Sequence, residues 1–348
     1  MRQSRPGAGF GIALAFAAAL GGLGAAGTAG AAEPVTVDEF KRAESDLYFA
    51  KFVAEGGFGA FVHEREPVSV DEQAVIRMNR DTLYSYGVAD LAAGPATVTM
   101  PPSDGRFMSL QVIDEDHYTP TVIYEAGTHA FDRETVGTRY VLFLVRTFVD
   151  PGSAEDMAAV HALQDALTIE QGEGAAFEIP DWDTAQAARL RQALNALAAA
   201  NGGVDSARMF GARGVVDPVQ HLIGTAAGWG GNPVKDAYYV GVTPERNDGG
   251  TVHRLTVRDV PVDGFWSISV YDADGYFAKN APGRYSLNDV TATPAADGSF
   301  EVRFGGCDAD PVNCLPITPG WNYLVRMYRP SEAILEGSWT FPEAEPVD

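Results

Sequence analysis

The sequence predicts a mainly β protein with a helical insert, built as two antiparallel β domains of sandwich or jelly-roll type. Three observations carry this. From Thr82 to Asp150 the chain runs through short segments that alternate or are rich in β-branched and aromatic residues. From about 153 to 215 it changes to helical spacing, and after about 235 it returns to β patterning and keeps it to the end.

The chain begins outside that fold. Arg2 and Arg5 precede an apolar stretch from Phe10 through Leu23, and Ala29 and Ala31 stand in an A-x-A relation. This is the layout of a secretory signal peptide over residues 1–32. The short, Gly-rich apolar core argues against an uncleaved anchor. The mature protein is therefore expected to be periplasmic or secreted, with no membrane insertion. Losing a leader with two arginines and no acid takes the net charge from −22 to −24. So acidic a chain, with no Lys/Arg block, repels nucleic acid and anionic lipid, and nucleic-acid binding is excluded on that ground. The remaining residues, about 316, have the length of two domains, expected at 33–220 and 221–348.

The elements follow in order. Thr36 or Asp38 caps a first helix with Phe40, Ala43, Leu47, Ala50 and Ala54 at helical spacing, ended by Gly56-Gly57. Strand character starts at Thr82. "ATVTMP", "RFMSLQVID" and "TPTVIYEAGTHAF" read as strands, and "TRYVLFLVRTFVD" is apolar enough for a buried central one. Ser153 caps a helix over "SAEDMAAVHALQDALTIEQ", and "DWDTAQAARLRQALNALAAANGG" forms another. A helical turn around Ser206–Phe210 closes the insert. "DAYYVGVTP", "HRLTVRDVPV", "GFWSISVYDADGYFAKN", "SFEVRFGG" and "WNYLVRMYRP" are strands, and Asp272-Ala-Asp-Gly275 is a hairpin turn. The two cysteines, Cys307 and Cys314, enclose a loop of turn formers. In an oxidising compartment they are expected to pair.

These residues carry a resemblance. "NRDTLYS", "MSLQVIDEDHYTP", "GTRYVLFLVRTFVDP" and "HLIGTAAGWGGNP" resemble the DUF1254 family of unknown function. "VDGFWSISVYDADGYFAKN", "RYSLND" and "NCLPITPGWNYLVRMYRPSEAILEGSW" resemble its usual C-terminal partner, DUF1214. The resemblance covers nearly the whole mature chain in the usual order. It implies an immunoglobulin-like β-sandwich followed by a jelly-roll, export, and a homo-oligomer. It brings neither a reaction nor a catalytic set.

Four stretches are candidates for chemistry. In "IDEDHYTP", Asp114, Asp116 and His117 beside Tyr118 suit acid–base work or a polar ligand; the competing readings are a hard-cation site and a solvated strand end paired with Arg80 or Arg106. Alternation sends Asp114 and Asp116 to one face and Glu115 and His117 to the other, unless the strand ends there. No HxH or HxxxH pair occurs in the sequence, so a zinc or cupin-type centre lacks its usual signature. In "MNRDTLYS", Asn79, Arg80 and Asp81 supply donors, a fixed charge and an acceptor, and Tyr84 and Tyr86 share a strand face. The alternative is a turn cap with a buried ion pair. "GTAAGWGGNP" is neither a P-loop nor a dinucleotide fingerprint; Trp229 with Asn232 offers a stacking face, or else forms a packed interdomain loop. Arg284 and Tyr285 follow a turn and are expected to reach a cleft, whereas Trp266, Trp321 and Tyr323 read as core.

The expected function is the binding or processing of a small polar organic ligand, a saccharide among the candidates, in an interdomain cleft. Asn79, Asp81, Tyr84, Asp114, Tyr118, Trp229, Asn232, Arg284 and Tyr285 would hold it. If the protein is catalytic, the chemistry is metal-free and cofactor-free, with Asp116 or His117 as acid or base and Arg80 stabilising developing negative charge. The alternative is a non-catalytic envelope binding or assembly protein acting through homo-oligomeric β-sheet surfaces.

Overall fold

The computed structural model describes residues 32–73, 76–172, 174, 176–201 and 203–347. The expected signal peptide lies outside the described residues, apart from Ala32. The first half contains strands β1 (Val62–His63), β2 (Thr82–Asp90), β3 (Ala96–Met100), β4 (Met108–Asp114), β5 (Thr121–Ile123), β6 (Gly127–Phe131), β7 (Tyr140–Phe148) and β8 (Thr168–Glu170). Its helices are α1 (Phe40–Ala54), α2 (Arg133–Val136), α3 (Ala154–Asp165), α4 (Thr184–Ala200), α5 (Ser206–Met209) and α6 (Pro218–Gly228). The second half contains β9 (Ala237–Val242), β10 (His253–Val257), β11 (Trp266–Tyr271), β12 (Ser286–Asn288), β13 (Phe300–Phe304), β14 (Cys314–Leu315), β15 (Asn322–Tyr328), α7 (Glu332–Leu335) and β16 (Glu345–Pro346).

The N-terminal domain is a β-sandwich with a helical layer on one side. Its main sheet runs β1-β2-β7-β4-β5 and its smaller sheet β6-β3-β8. Val98, Met100, Leu110, Val112, Phe143 and Val145 fill the space between the sheets. The other face of the main sheet presents Tyr84, Tyr86, Val88, Ile113, Leu142 and Leu144 to Phe49 and Phe52 of α1 and to Trp229. Both faces are covered, so β2, β4 and β7 are buried at every position. That is why the sequence of β7 reads as a continuous apolar run rather than an alternation.

The C-terminal domain stacks two sheets, β14-β13-β10-β16 and β12-β11-β15-β9, over a core that includes Trp266, Ile268, Val302, Phe304, Trp321, Tyr323 and Val325. Ser267, Ser269 and Arg326 alternate with these core residues and are also buried, because their face meets the N-terminal domain. Asp81, Met78 and Arg77 reach that face through hydrogen bonds to Ser267 and Arg326. Cys307 and Cys314 are disulfide-bonded.

The boundary expected at 220/221 lies within α6, which packs on α1, α4 and α5, and the C-terminal sheets begin at Ala237. One expectation is corrected. The helical insert is interrupted, since Thr168–Glu170 pairs with β3 instead of extending α3. In "GTAAGWGGNP", residues 229–233 form a turn and loop and residues 224–228 are the end of α6. Asp217 caps the helix with bonds from Val219 N and Gln220 N, and Pro218 takes the first turn, where no amide donor is needed.

Candidate functional site

A cleft of about 510 Å³ opens where the two domains meet. The N-terminal domain contributes Arg80, Asp81 and Asp150–Gly152; the C-terminal domain contributes Arg284, Tyr285, Asn288 and the 311–315 segment of the disulfide loop, among others. Four of the residues expected from sequence, Arg80, Asp81, Arg284 and Tyr285, therefore share one wall. Arg80 donates from Nη1 to Val68 O, and its guanidinium lies 5.4 Å from the centroid of the Tyr285 ring. Burial lowers its pKa. Arg284 donates to Pro311 O, which ties the turn before β12 to the disulfide loop.

Asp81 forms the floor. It is buried and accepts from Ser267 Oγ at 2.7 Å and from Asn288 Nδ2 at 3.5 Å. Burial pushes its carboxyl above the usual range; the Arg326 charge and the hydrogen bonds oppose this. Asn79 and Tyr84 stand behind the floor. Asn79 Nδ2 lies 3.3 Å from Tyr84 OH and 3.1 Å from Tyr328 OH, while its Oδ1 receives Asp81 N at 2.9 Å. Both are buried and are not among the cleft-lining residues.

The "IDEDHYTP" residues are placed elsewhere. β4 ends at Asp114 and the chain turns, with His117 at φ 66°, so strand alternation stops applying. Asp114 and Asp116 both reach Arg213, at 3.1 and 2.7 Å, and Asp116 also meets Arg42 at 2.7 Å. Arg213 lies over the Tyr118 ring at 4.2 Å, and Lys41 Nζ donates to Tyr118 OH at 3.1 Å. Burial raises the Asp114 carboxyl to about 6. Burial acts the same way on Asp116, but Arg213 and Arg42 outweigh it and hold that carboxyl below its usual range.

His117 is buried, with both ring nitrogens hydrogen-bonded. Its Nε2 accepts Gly230 N at 2.8 Å, so Nδ1 carries the proton and donates to Thr225 Oγ1 at 2.9 Å. Burial, with His221 second, lowers its pKa well below 6.5. With both ring nitrogens engaged and the ring stacked on His221 and Trp229, it has no free lone pair for an acid–base role at a ligand. Asp116, bridged to two arginines and absent from the cleft wall, does not provide one there either. Trp229 is 3% exposed, stacked on Tyr48 and hydrogen-bonded through Nε1 to Ser45. Asn232 joins Arg146 to Tyr239, at 3.1 and 3.2 Å.

A buried polar chain connects the two halves of the expected site. Asn79 reaches Tyr84, whose ring faces Arg146 at 5.5 Å; Arg146 donates to Gly230 O at 2.8 Å, and Gly230 N reaches His117. The expected residues thus divide into cleft wall, buried network and a separate ion-pair cluster. Sequence reasoning missed Asp150, Asn288, Thr291, Thr293 and Asn313 in the wall; Asn288 stood in the quoted "RYSLND", and its turn-forming Asn-Asp pair was the available signal. Among the described residues no three His, Cys, Asp or Glu side chains group so as to hold a metal ion, and no helix is long and apolar enough to cross a membrane.

No curated protein matches the chain. In structure it is similar to the VPA0106 protein from Vibrio parahaemolyticus, with a TM-score of 0.67 and 19% identity over 90% of this chain and 98% of that one. That likeness shows a shared fold. A putative uncharacterized protein from Burkholderia cenocepacia also matches, with a TM-score of 0.49 and 13% identity over 89% and 86% of the two chains. Residues 58–130 match the model of a protein of unknown function, DUF1254, and residues 237–332 that of a protein of unknown function, DUF1214. With both regions present in this order, the chain matches the two-domain DUF1254/DUF1214 family of unknown function.

Proposed function

We propose that the protein binds a small polar organic ligand in the interdomain cleft and acts outside the cytoplasm. The observation that carries this is the assembly of Arg80, Arg284 and Tyr285 from two domains on one concave wall. A volume of about 510 Å³ is in the range of small-molecule sites. The Cys307–Cys314 disulfide supports an oxidising compartment.

Binding is favoured over catalysis by the state of the acids in the wall. Asp81 is engaged with Ser267 and Asn288, and Asp150 Oδ1 accepts Gly152 N at 2.9 Å. A thermal-shift screen of sugars, amino acids, carboxylic acids and amines on the mature chain and on Tyr285→Ala tests the proposal. A rise in Tm with one class, lost in the variant, supports it. No rise with any class, or a rise indifferent to Tyr285, overturns it.

A further inference from the structure

Among the described residues, the cleft wall holds two arginines without an ion pair; buried Arg146 and Arg326 have none either, but here the pair stands on a concave surface. The protein carries 47 acidic residues against 25 basic ones, and Arg42, Arg106, Arg139, Arg191 and Arg213 each sit on carboxylates. Arg80 and Arg284 do not. Each spends a donor on a backbone carbonyl, and among the described residues neither has a carboxylate within ion-pair distance. A guanidinium carries five N–H donors and no acceptor. Asp81 offsets part of the Arg80 charge at longer range but forms no ion pair with it, its oxygens being bonded to Ser267 and Asn288, and Asp150 accepts from Gly152.

The remaining wall chemistry narrows the ligand. Tyr285 supplies an aromatic face beside Arg80. Ser286, Thr291, Thr293 and Asn313 add polar groups, of which Thr291 Oγ1 and the Asn313 amide are bonded within the protein, and Pro282, Leu287, Val312 and Leu315 add apolar lining. Such a wall suits an anionic end at the two guanidiniums and a body with both hydroxyls and an apolar ring face against Tyr285.

Taking the cleft as the ligand site, we infer that its ligand is a polyhydroxylated carboxylic acid, a sugar acid, with its carboxylate held by Arg80 and Arg284 and its body against Tyr285. Two cationic groups from separate domains then read one anion, which selects acids over neutral sugars of the same shape.

Calorimetric titration of galacturonate and gluconate against neutral galactose tests this on the mature chain and on Arg80→Gln, Arg284→Gln and Tyr285→Ala. The expected result is binding of a sugar acid with galactose at least about tenfold weaker, and about a tenfold loss in either arginine variant, the effect of losing one charge-assisted contact. Raising salt from about 0.05 to about 0.5 M should also weaken the acid. Arg80 supports Val68, so circular dichroism accompanies its variant; Arg284 lies on an exposed turn and keeps the test independent of folding. Galactose binding as tightly as the acids, and lost in Tyr285→Ala, would overturn the sugar-acid inference and leave the cleft standing. Sugar acids that fail to bind at millimolar concentration, or bind unaffected by all three substitutions, overturn the inference; the wider screen then decides the cleft separately.

Discussion

Asp81 accepts a 2.7 Å hydrogen bond from Ser267 Oγ, joining the two domains across 186 residues of sequence at the floor of the cleft. Asn288 is the second partner, and Arg326 is the charge nearest in effect. Removing the carboxylate takes a favourable charge interaction from buried Arg326 and leaves a hydroxyl without its acceptor. Asp81→Ala should cost about 3 kcal/mol or more, the scale for breaking a buried charge contact. Ser267→Ala should cost about 1 kcal/mol. Urea unfolding of the two single variants and the double variant measures the coupling. Strict additivity would show that the contact does not hold the domains together.

Asp46 on α1 should make stability pH-dependent. It is 1% exposed, its Oδ2 accepts Trp182 Nε1 at 2.8 Å, and its Oδ1 has no hydrogen-bond partner. Burial raises its carboxyl to about 7; Glu115 and Asp116 add to this, and the Trp182 bond and Arg42 oppose it. A folded pKa above the unfolded one means that the group's contribution is fully present below about pH 4 and is lost as pH rises through about 7. Asp46→Asn keeps an acceptor for Trp182 and cannot ionise. Its stability relative to the parent should therefore rise between pH 4 and 8, by up to about 4 kcal/mol at 1.36 kcal/mol per unit. Denaturant midpoints across that range check this, and a pH-independent difference would refute it.

His117 should stay neutral, as the Nδ1–H tautomer, at the pH where an ordinary histidine is half protonated, because burial lowers its pKa. The backbone N–H of Gly230 pointing at Nε2 dictates that tautomer. ¹⁵N NMR of the ring reads the tautomer directly. His117→Ala should destabilise by about 3 kcal/mol, since it empties a stacked core position and orphans a buried amide. It should leave cleft affinity unchanged wherever the fold survives. A ring that titrates near 6.5 would contradict the buried assignment.

How far the sequence could be read divides along physical lines. The strands were legible wherever alternation or an apolar run has one cause, burial on one face or two; β3, β4, β7, β11 and β15 all fall where expected. The coarse arrangement of two β domains followed. Local rules carry no further than the elements that obey them. Alternation holds for Asp116 and His117 only if the strand runs on, and β4 stops at Asp114, the case the sequence leaves open. Asp217-Pro218 is a helix-start signal that went unused, so α6 up to Gly228 is missed, while the packed loop offered for Trp229 to Pro233 is present. The cleft wall was half legible. Arg80, Asp81, Arg284 and Tyr285 announce themselves as charged or aromatic residues beside turns. Asp150, Thr291 and Asn313 acquire a role only when three separate loops meet, and no local pattern encodes that meeting.

The disulfide should control the cleft as well as stability. Pro311 to Cys314 line the wall, and Arg284 is fastened to Pro311 O. Chain entropy for so short a loop puts the loss on opening it at about 2.5 kcal/mol. Cys307→Ser/Cys314→Ser should lower Tm and also weaken any ligand that depends on Arg284, because the loop no longer fixes that guanidinium. Arg284→Gln in the disulfide-free background should then add little further loss. Equal affinity with and without the disulfide would mean that the loop is a passive wall.

The glycines of α6 and the turn after it should prove to be packing devices. A Cβ on Gly231 would lie 2.3 Å from the Phe210 ring, and one on Gly224 would lie 2.9 Å from Met209 Cβ. Phe210 and Met209 are themselves buried in one small cluster under α6. Neither partner can give way without moving that cluster, so Gly231→Ala and Gly224→Ala should each cost about 1–3 kcal/mol, the range for overpacking. Trimming the obstacle should repair the first: in a Phe210→Ala background, Gly231→Ala should be nearly neutral. Unfolding midpoints of the four chains test the compensation. Cleft affinity is the second readout, since the wall does not include these residues. A Gly231→Ala chain with full stability and no ligand binding would reverse the assignment and make the Trp229 turn part of the binding site.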